Sequence, residues 1–355
     1  MTPRTAASLI PLFVFGCNTA GAQSSAQLYG AVDNGVQYAR QGAKSSTRLE
    51  SGLASTSRWG VQVQEDLGDG MYAGILLESG LKTDVGTAGG TTTQGDASFF
   101  NRQSNIVLGT KQLGEVRLGR QYPAQINPFL DTFAGVTGFS PWASLSSMGK
   151  DQGAGASVGD SRISNAVSYS TPASWALGSM VQAAFRESSA AGFSTLSAYG
   201  IEMHYTLDSW HFQAQAMYNN TDPSASVPSF RNGWYGLAVK KELPGMTTTY
   251  IVNVLRPERA GYPNSQTHAL SFTIPVGQNT VRISPVYRHV AGTHDLDSFA
   301  MGAGYDYNLS KRTAVYARLG YIANREKAAA TLGAIPAGDP GDDLSTVAIG
   351  VRVRF

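Results

Sequence analysis

The sequence predicts an all-β fold, a sixteen-stranded antiparallel barrel that spans a membrane, and three observations point to it. Apolar and polar residues alternate over runs of about ten residues, the period of a strand with two unlike faces. Tight turns alternate with long polar loops along the chain, as in barrels whose two rims differ. Aromatic residues gather near the ends of the runs, where an interfacial girdle would stand. The composition agrees: of 355 residues 42% are apolar and 15% charged, with 40 glycines, where a soluble domain carries roughly 25% charged residues. Nothing after residue 22 offers the about 20 consecutive apolar residues that a membrane helix needs.

The chain opens on a segment with the pattern of a secretory signal. Arg4 supplies a positive start, LIPLFVF (9–15) an apolar core, and Ala20-Gly21-Ala22 a small-residue cleavage site before Gln23. Residues 1–22 are therefore read as a removed signal peptide and residues 23–355 as one barrel domain. Acylation at Cys17 is the weaker alternative, because the bulky Phe15 fits a lipoprotein signal poorly. Without residues 1–22 the chain has no cysteine, which suits passage through an oxidising periplasm. A formal charge of +2 gives no large basic patch, so no nucleic-acid partner is expected.

The runs follow in order. LYGAVDNGVQY (28–38) puts Leu28, Val32, Val36 and Tyr38 on one face and Asp33 and Gln37 on the other. SRWGVQVQEDL (57–67) sets Trp59, Val61 and Val63 against Arg58, Gln62 and Gln64. MYAGILLESGLK (71–82) sets Ala73, Ile75 and Leu77 against Glu78 and Lys82. Further runs lie at 99–109, 115–122, 161–171, 177–187, 196–207, 210–219, 231–242, 247–256, 266–274, 279–290, 297–307, 313–323 and 344–355, completing sixteen. DLGDG (66–70), TKQLG (110–114), LDSW (207–210), ELPGM (242–246), PVGQN (275–279) and NLSK (308–311) read as tight turns. The longer loops are 83–98, 123–160, 188–195, 220–230, 257–265 and 324–343. Only helices and closed barrels pair every backbone group inside a bilayer, so runs of this length imply closure. The final run, TVAIGVRVRF (346–355), carries Val347, Ile349, Val351, Val353 and Phe355 on one face.

LYGAVDNGVQY, SRWGVQVQEDLGDGMYAGILLESG, NRQSNIVLGTKQLGEVRLGRQY and SRISNAVSYSTP, in this order and with the closing Phe355, resemble the Gram-negative trimeric general porins, above all those of beta-proteobacteria. The resemblance covers nearly the whole chain after residue 22. It implies a homotrimer in the cell outer membrane, in contact with its lipid, with three water-filled pores that pass ions and small hydrophilic solutes without catalysis. It also implies that the third external loop folds into each pore, and 123–160 stands in that place. A loop of such length within one domain usually has a function.

The resemblance extends to single residues. Phe355 matches the assembly signal of outer-membrane barrels, on a strand that would close against LYGAVDNGV. Arg58, Arg102 and Arg162 match the basic ladder of the pore wall, and Asp131 in NPFLDTFAG the carboxylate of the inward loop. Arg120 in LGRQ matches a contact with the second loop of a neighbouring subunit, for which 83–98 is the candidate. Parity supports Arg58, which opposes the Trp59/Val61/Val63 stripe. Arg102 shares its phase with Ile106 and Leu108, so either a bulge intervenes or this strand faces the trimer interface. Acids are sparse in the inward loop, so a weak anion preference is expected.

Other motifs carry less. GASVG (155–159) matches the G-x-S-x-G nucleophile elbow at Ser157, but no strand precedes it and no helix follows. The five histidines lack helical pairing and cysteine partners; His289, His294 and Asp295 could approach one another, but are read as solvated loop residues, so neither a metal nor a cofactor is expected. A substrate-specific porin with an aromatic slide (Tyr122, Phe129, Phe133, Phe139, Trp142) is the alternative, and an outer-membrane barrel hydrolase a more distant one.

Overall fold

A computed structural model describes residues 24–91, 97–134, 138–186, 195–221, 228–292 and 294–355. The expected signal segment lies outside them. The strands are β1 (Ser25–Gln41), β2 (Lys44–Ser51), β3 (Arg58–Gly68), β4 (Met71–Lys82), the two-residue β5 (Thr87–Ala88), β6 (Gly90–Thr91) and β7 (Ala97–Ser98), β8 (Gln103–Thr110), β9 (Gly114–Gln121), β10 (Ile163–Ser170), β11 (Leu177–Arg186), β12 (Thr195–Leu207), β13 (Trp210–Asn220), β14 (Arg231–Leu243), β15 (Met246–Pro257), β16 (Ser265–Val276), β17 (Asn279–Val290), β18 (Ser298–Asn308), β19 (Thr313–Asn324) and β20 (Leu344–Arg354). Sixteen of these form the barrel wall: β1, β3, β4, and β8 through β20, each antiparallel to its neighbours.

The wall closes where β1 meets β20, from Ala31 opposite Arg354 to Gln41 opposite Leu344. The ladder continues through Phe355, whose amide donates to the Gly30 carbonyl and whose carbonyl accepts from the Gly30 amide, both at 3.1 Å. The Phe355 ring fills the place where a Cβ on residue 30 would stand, so glycine is required there. With no free edge, each of the sixteen wall strands finds partners on both sides, as hydrocarbon demands.

Burial in this wall is inverted relative to a soluble protein. Leu28, Val36, Ile106, Leu118, Leu237, Leu319 and Ile349 are exposed, whereas Asp33, Asn105, Gln182, Gln215, Asn253, Arg318 and Arg352 are buried. In water both halves of that pattern would cost free energy. Facing lipid outside and a polar lumen inside, both halves are favourable.

The third external loop lies between β9 and β10, and its described residues, 122–134 and 138–162, run along the inner wall. Its short helix α1 (Pro141–Ser146) is capped by Ser140, whose Oγ accepts from the Ala143 amide at 3.0 Å. Trp142 and Leu145 pack on Ala238, Ala269 and Ala300, small inward residues that leave room for the loop. The loop is tied down at both passes. The Ala124 amide donates to Gln182, Thr132 meets Thr273 at 2.7 Å, and Trp142 Nε1 donates to Asn253 at 2.8 Å. On the return pass Arg288, fully buried, grips the Asp151 carboxylate at 2.7 and 2.8 Å.

Besides the two-residue β5, β6 and β7, the structure adds one longer segment to the expected runs. β2 pairs with the outer half of β1, from Gln41 opposite Lys44 to Asn34 opposite Ser51, and 52–57 separates it from β3. Its sequence, KSSTRLES, is polar at every position but Leu49. Strand alternation therefore gives no signal for it.

Candidate pore constriction

Arg58 begins β3, in phase with Gly60 and Gln62 and opposed to Val61 and Val63, so parity sends it inward. Arg102 and Arg162 each stand immediately before their strands, β8 and β10. This removes the ambiguity at Arg102: it is outside the ladder, and the phase of Ile106 and Leu108 does not bind it. All three guanidinium groups come together at the mouth of the inward loop. Glu78, buried on β4, lies between the first two, 2.6 Å from Arg102 Nε and 3.3 Å from Arg58 Nε. Tyr29 Oη donates to the same carboxylate at 3.0 Å. Arg58 also donates to the Thr56 carbonyl at 2.8 Å.

Tyr122, where the loop leaves β9, joins the second arginine to the third. Arg102 Nη2 donates to its hydroxyl at 3.4 Å, and the Arg162 guanidinium carbon lies 3.4 Å over its ring centroid. A planar cation flat on an aromatic face is held by the ring quadrupole and does not need a carboxylate. Arg162 Nη1 donates to the Ser161 carbonyl at 2.7 Å.

The basic wall continues through residues that the sequence reading passed over. Arg354 lies in the electrostatic field of Arg58 and Arg282, and Arg352 in that of Arg354 and Arg282. Arg282 and Arg318 share Asp306: Arg282 Nε is 2.9 Å from one oxygen, and Arg318 Nη2 bonds the other. Asp33 accepts from Tyr316 Oη at 2.7 Å and stands opposite Arg352 in the ladder. Seven arginines thus stand with three carboxylates, Glu78, Asp306 and Asp33. The signal was present in VRVRF, because the face opposite the Val351/Val353/Phe355 stripe is Arg352 and Arg354.

Asp131 is placed differently from the expectation. Its carboxylate is 2% exposed, accepting from Ser140 Oγ at 2.7 Å and Ser271 Oγ at 3.1 Å, on the wall formed by β16. It joins the loop to the barrel and does not border open lumen. The reason is local: Ser140 caps α1 and Ser271 faces inward, so both hydroxyls converge on the carboxylate. Asp151, held by Arg288, is also an anchor.

Arg120 lies on the outward phase of β9, donating from Nε to the Asn101 carbonyl and from Nη1 to Ser164 Oγ, both at 2.7 Å. It joins the base of the second external loop to β10 within one chain. Part of that loop, 92–96, is outside the described residues. Beside it Trp59, Phe99 and Phe100 form an aromatic knot with centroids 5.0 to 6.2 Å apart.

Of the five aromatics of the alternative reading, Phe133, Phe139 and Trp142 are buried against the wall, while Phe129 is 60% exposed. Ser157 Oγ accepts from the Gly159 amide at 3.0 Å, and its backbone bonds Asn219 and Asn232. That arrangement is a loop turn and not a strand-to-helix elbow.

A model of the Gram-negative porin family matches residues 5–327. Outer membrane porin protein 32 of Delftia acidovorans is 30% identical, over 98% of this chain and 99% of its own. An outer membrane porin protein of Bordetella pertussis is 33% identical over 31% of this chain and 33% of its own. Among solved structures, an anion-selective porin from Comamonas acidovorans superposes with a TM-score of 0.79 at 25% identity, covering 94% of this chain and all of that one. The trimer form of OmpT from Vibrio cholerae gives 0.65 at 15% identity, covering 94% and 99%.

Proposed function

Because this chain belongs to the Gram-negative porin family, as an outer-membrane channel, we propose that its pore is a general diffusion path with a preference for small anions, set by Arg58, Arg102 and Arg162 at the constriction. The observation that carries this reading is the meeting of Arg58 and Arg102 on one carboxylate, Glu78, with Arg162 joined to Arg102 through the Tyr122 ring and hydroxyl. Fixed charges on a narrow wall with a low-dielectric backing focus their field into the water, and rings of arginine favour anions. Asp131 and Asp151 of the inward loop do little to cancel it, since both are engaged in holding the loop in place. The relative from Comamonas acidovorans, described as anion-selective, supports the same sign.

We further propose a homotrimer, with Arg120 and the Trp59/Phe99/Phe100 knot on the subunit contact. The outward position of that knot supports this, as does the trimer form of the structural neighbour OmpT. Reversal potentials across a potassium chloride gradient test the anion assignment. They should lie on the chloride side of zero, and a potassium-side value would overturn it.

A further inference from the structure

On the external rim, apart from the lumen, the end of β17 and the loop to β18 bring two imidazoles and a carboxylate together. His289 is the penultimate residue of β17, on its outward phase with Tyr287, and Asp297 immediately precedes β18. His289 Nδ1 lies 3.0 and 3.1 Å from the two Asp297 oxygens, and His294 Nδ1 3.0 Å from one of them. The two imidazole rings stand 5.2 Å apart. The carboxylate here is Asp297 and not Asp295, which turns instead to Lys327 at 2.7 Å.

We propose that His289, His294 and Asp297 form a binding site for a divalent transition ion such as zinc. One ligand atom from each residue lies within 4.8 Å of the others. Around a tetrahedral zinc with bonds of about 2.1 Å, ligand atoms stand about 3.4 Å apart, so little rearrangement is needed. His294, with its side chain 84% exposed, can supply that movement.

The carboxylate is already oriented. Asp297 is 3% exposed and accepts from the Val290 amide at 2.9 Å and from Tyr287 Oη at 2.7 Å. Such outer partners fix a ligand's direction and are part of most metal sites. Burial alone would raise the Asp297 carboxyl, but these hydrogen bonds and those of the histidines hold it at about 2. The backbone is pinned too: Ala291 donates to the Asn264 carbonyl at 2.8 Å, and Arg325 to the Asp297 carbonyl at 3.0 Å. Two nitrogens and one oxygen suit zinc, copper or nickel over calcium or magnesium, which prefer all-oxygen shells. Three protein ligands leave a position open to water or to a ligand from outside the cell.

The competing account is a pair of histidine–carboxylate contacts that bind only protons. Zinc chloride titrated into the purified full-length protein, against a chromophoric chelator, distinguishes the two. One zinc per chain should bind, and His294→Ala should weaken it at least tenfold while the heat-modifiable barrel band stays unchanged. His268→Gln, on a separate strand, should leave the titration as it was. Asp297→Asn should weaken binding as much as His294→Ala does; should that variant fail to fold, His294→Ala alone decides. Stoichiometric zinc binding that is absent from the wild type, or equal in His294→Ala, would overturn the proposal.

Discussion

Arg102 and Glu78 form an ion pair 2.6 Å long, and the same carboxylate reaches Arg58 at 3.3 Å. One buried acid therefore holds two cations that would otherwise repel each other. Glu78→Gln removes the negative charge but keeps the volume. The expected result is a stronger anion preference with noisier open-channel current, because Arg58 and Arg102 lose a charged partner contributing about 2 kcal/mol each. Reversal potential and current noise from single-channel records check both parts.

Gly30 and Phe355 predict how the barrel assembles. Deleting Phe355, or replacing it with alanine, should lower the amount of folded, heat-modifiable protein in the membrane. Gly30→Val should do the same, since a Cβ there meets the Phe355 ring and the Arg58 carbonyl. Gel mobility with and without boiling reads out all three variants. A normal yield from all three would separate closure from assembly.

Arg288 and Asp151 predict how firmly the inward loop is held. Asp151→Asn leaves a fully buried guanidinium short of its counter-ion, which costs about 3–5 kcal/mol for a buried pair. The barrel should persist while the loop loosens, seen as flickering conductance and faster proteolysis within 122–162. Asp131→Asn should act in the same direction, through lost contacts with Ser140 and Ser271, and should move the reversal potential little.

Much of this was legible from the sequence, because period-2 alternation is strong wherever one face meets lipid and the other meets water. The closing strand shows it best: 344–355 was readable nearly to the residue. β2 was not, because above the membrane both of its faces are wet and the alternation disappears. Arg102 was legible as a candidate but not in its direction, since phase is defined only inside a ladder and it stands one residue before one. Asp131 was misplaced for a different reason. A loop's path fixes which of its residues meet the wall, and the partners that hold this one, Ser140 and Ser271, lie 9 and 140 residues away. Asp297 was hidden likewise, because the approach to β18 turns it, and not Asp295, toward the histidines.

Arg120 yields a prediction about subunit contact. Arg120→Ala removes the bonds to Asn101 and Ser164, which set the base of the second external loop. The assembled form should melt several degrees lower while the monomeric barrel band remains. An unchanged melting temperature would confine Arg120 to its own chain.

If the arginine cluster sets the ion preference of the pore, neutralising it must move the reversal potential. Reversal potentials of the wild type and of Arg58→Gln/Arg102→Gln should be recorded under tenfold potassium chloride gradients at low and at high mean salt. The wild type should favour chloride, most at the low-salt end, where the Debye length is about 30 Å at 0.01 M against about 3 Å at 1 M. The double variant should move toward potassium at low salt and match the wild type at high salt. A wild-type pore that favours potassium at low salt, or a double variant with unchanged reversal potential, would contradict the account.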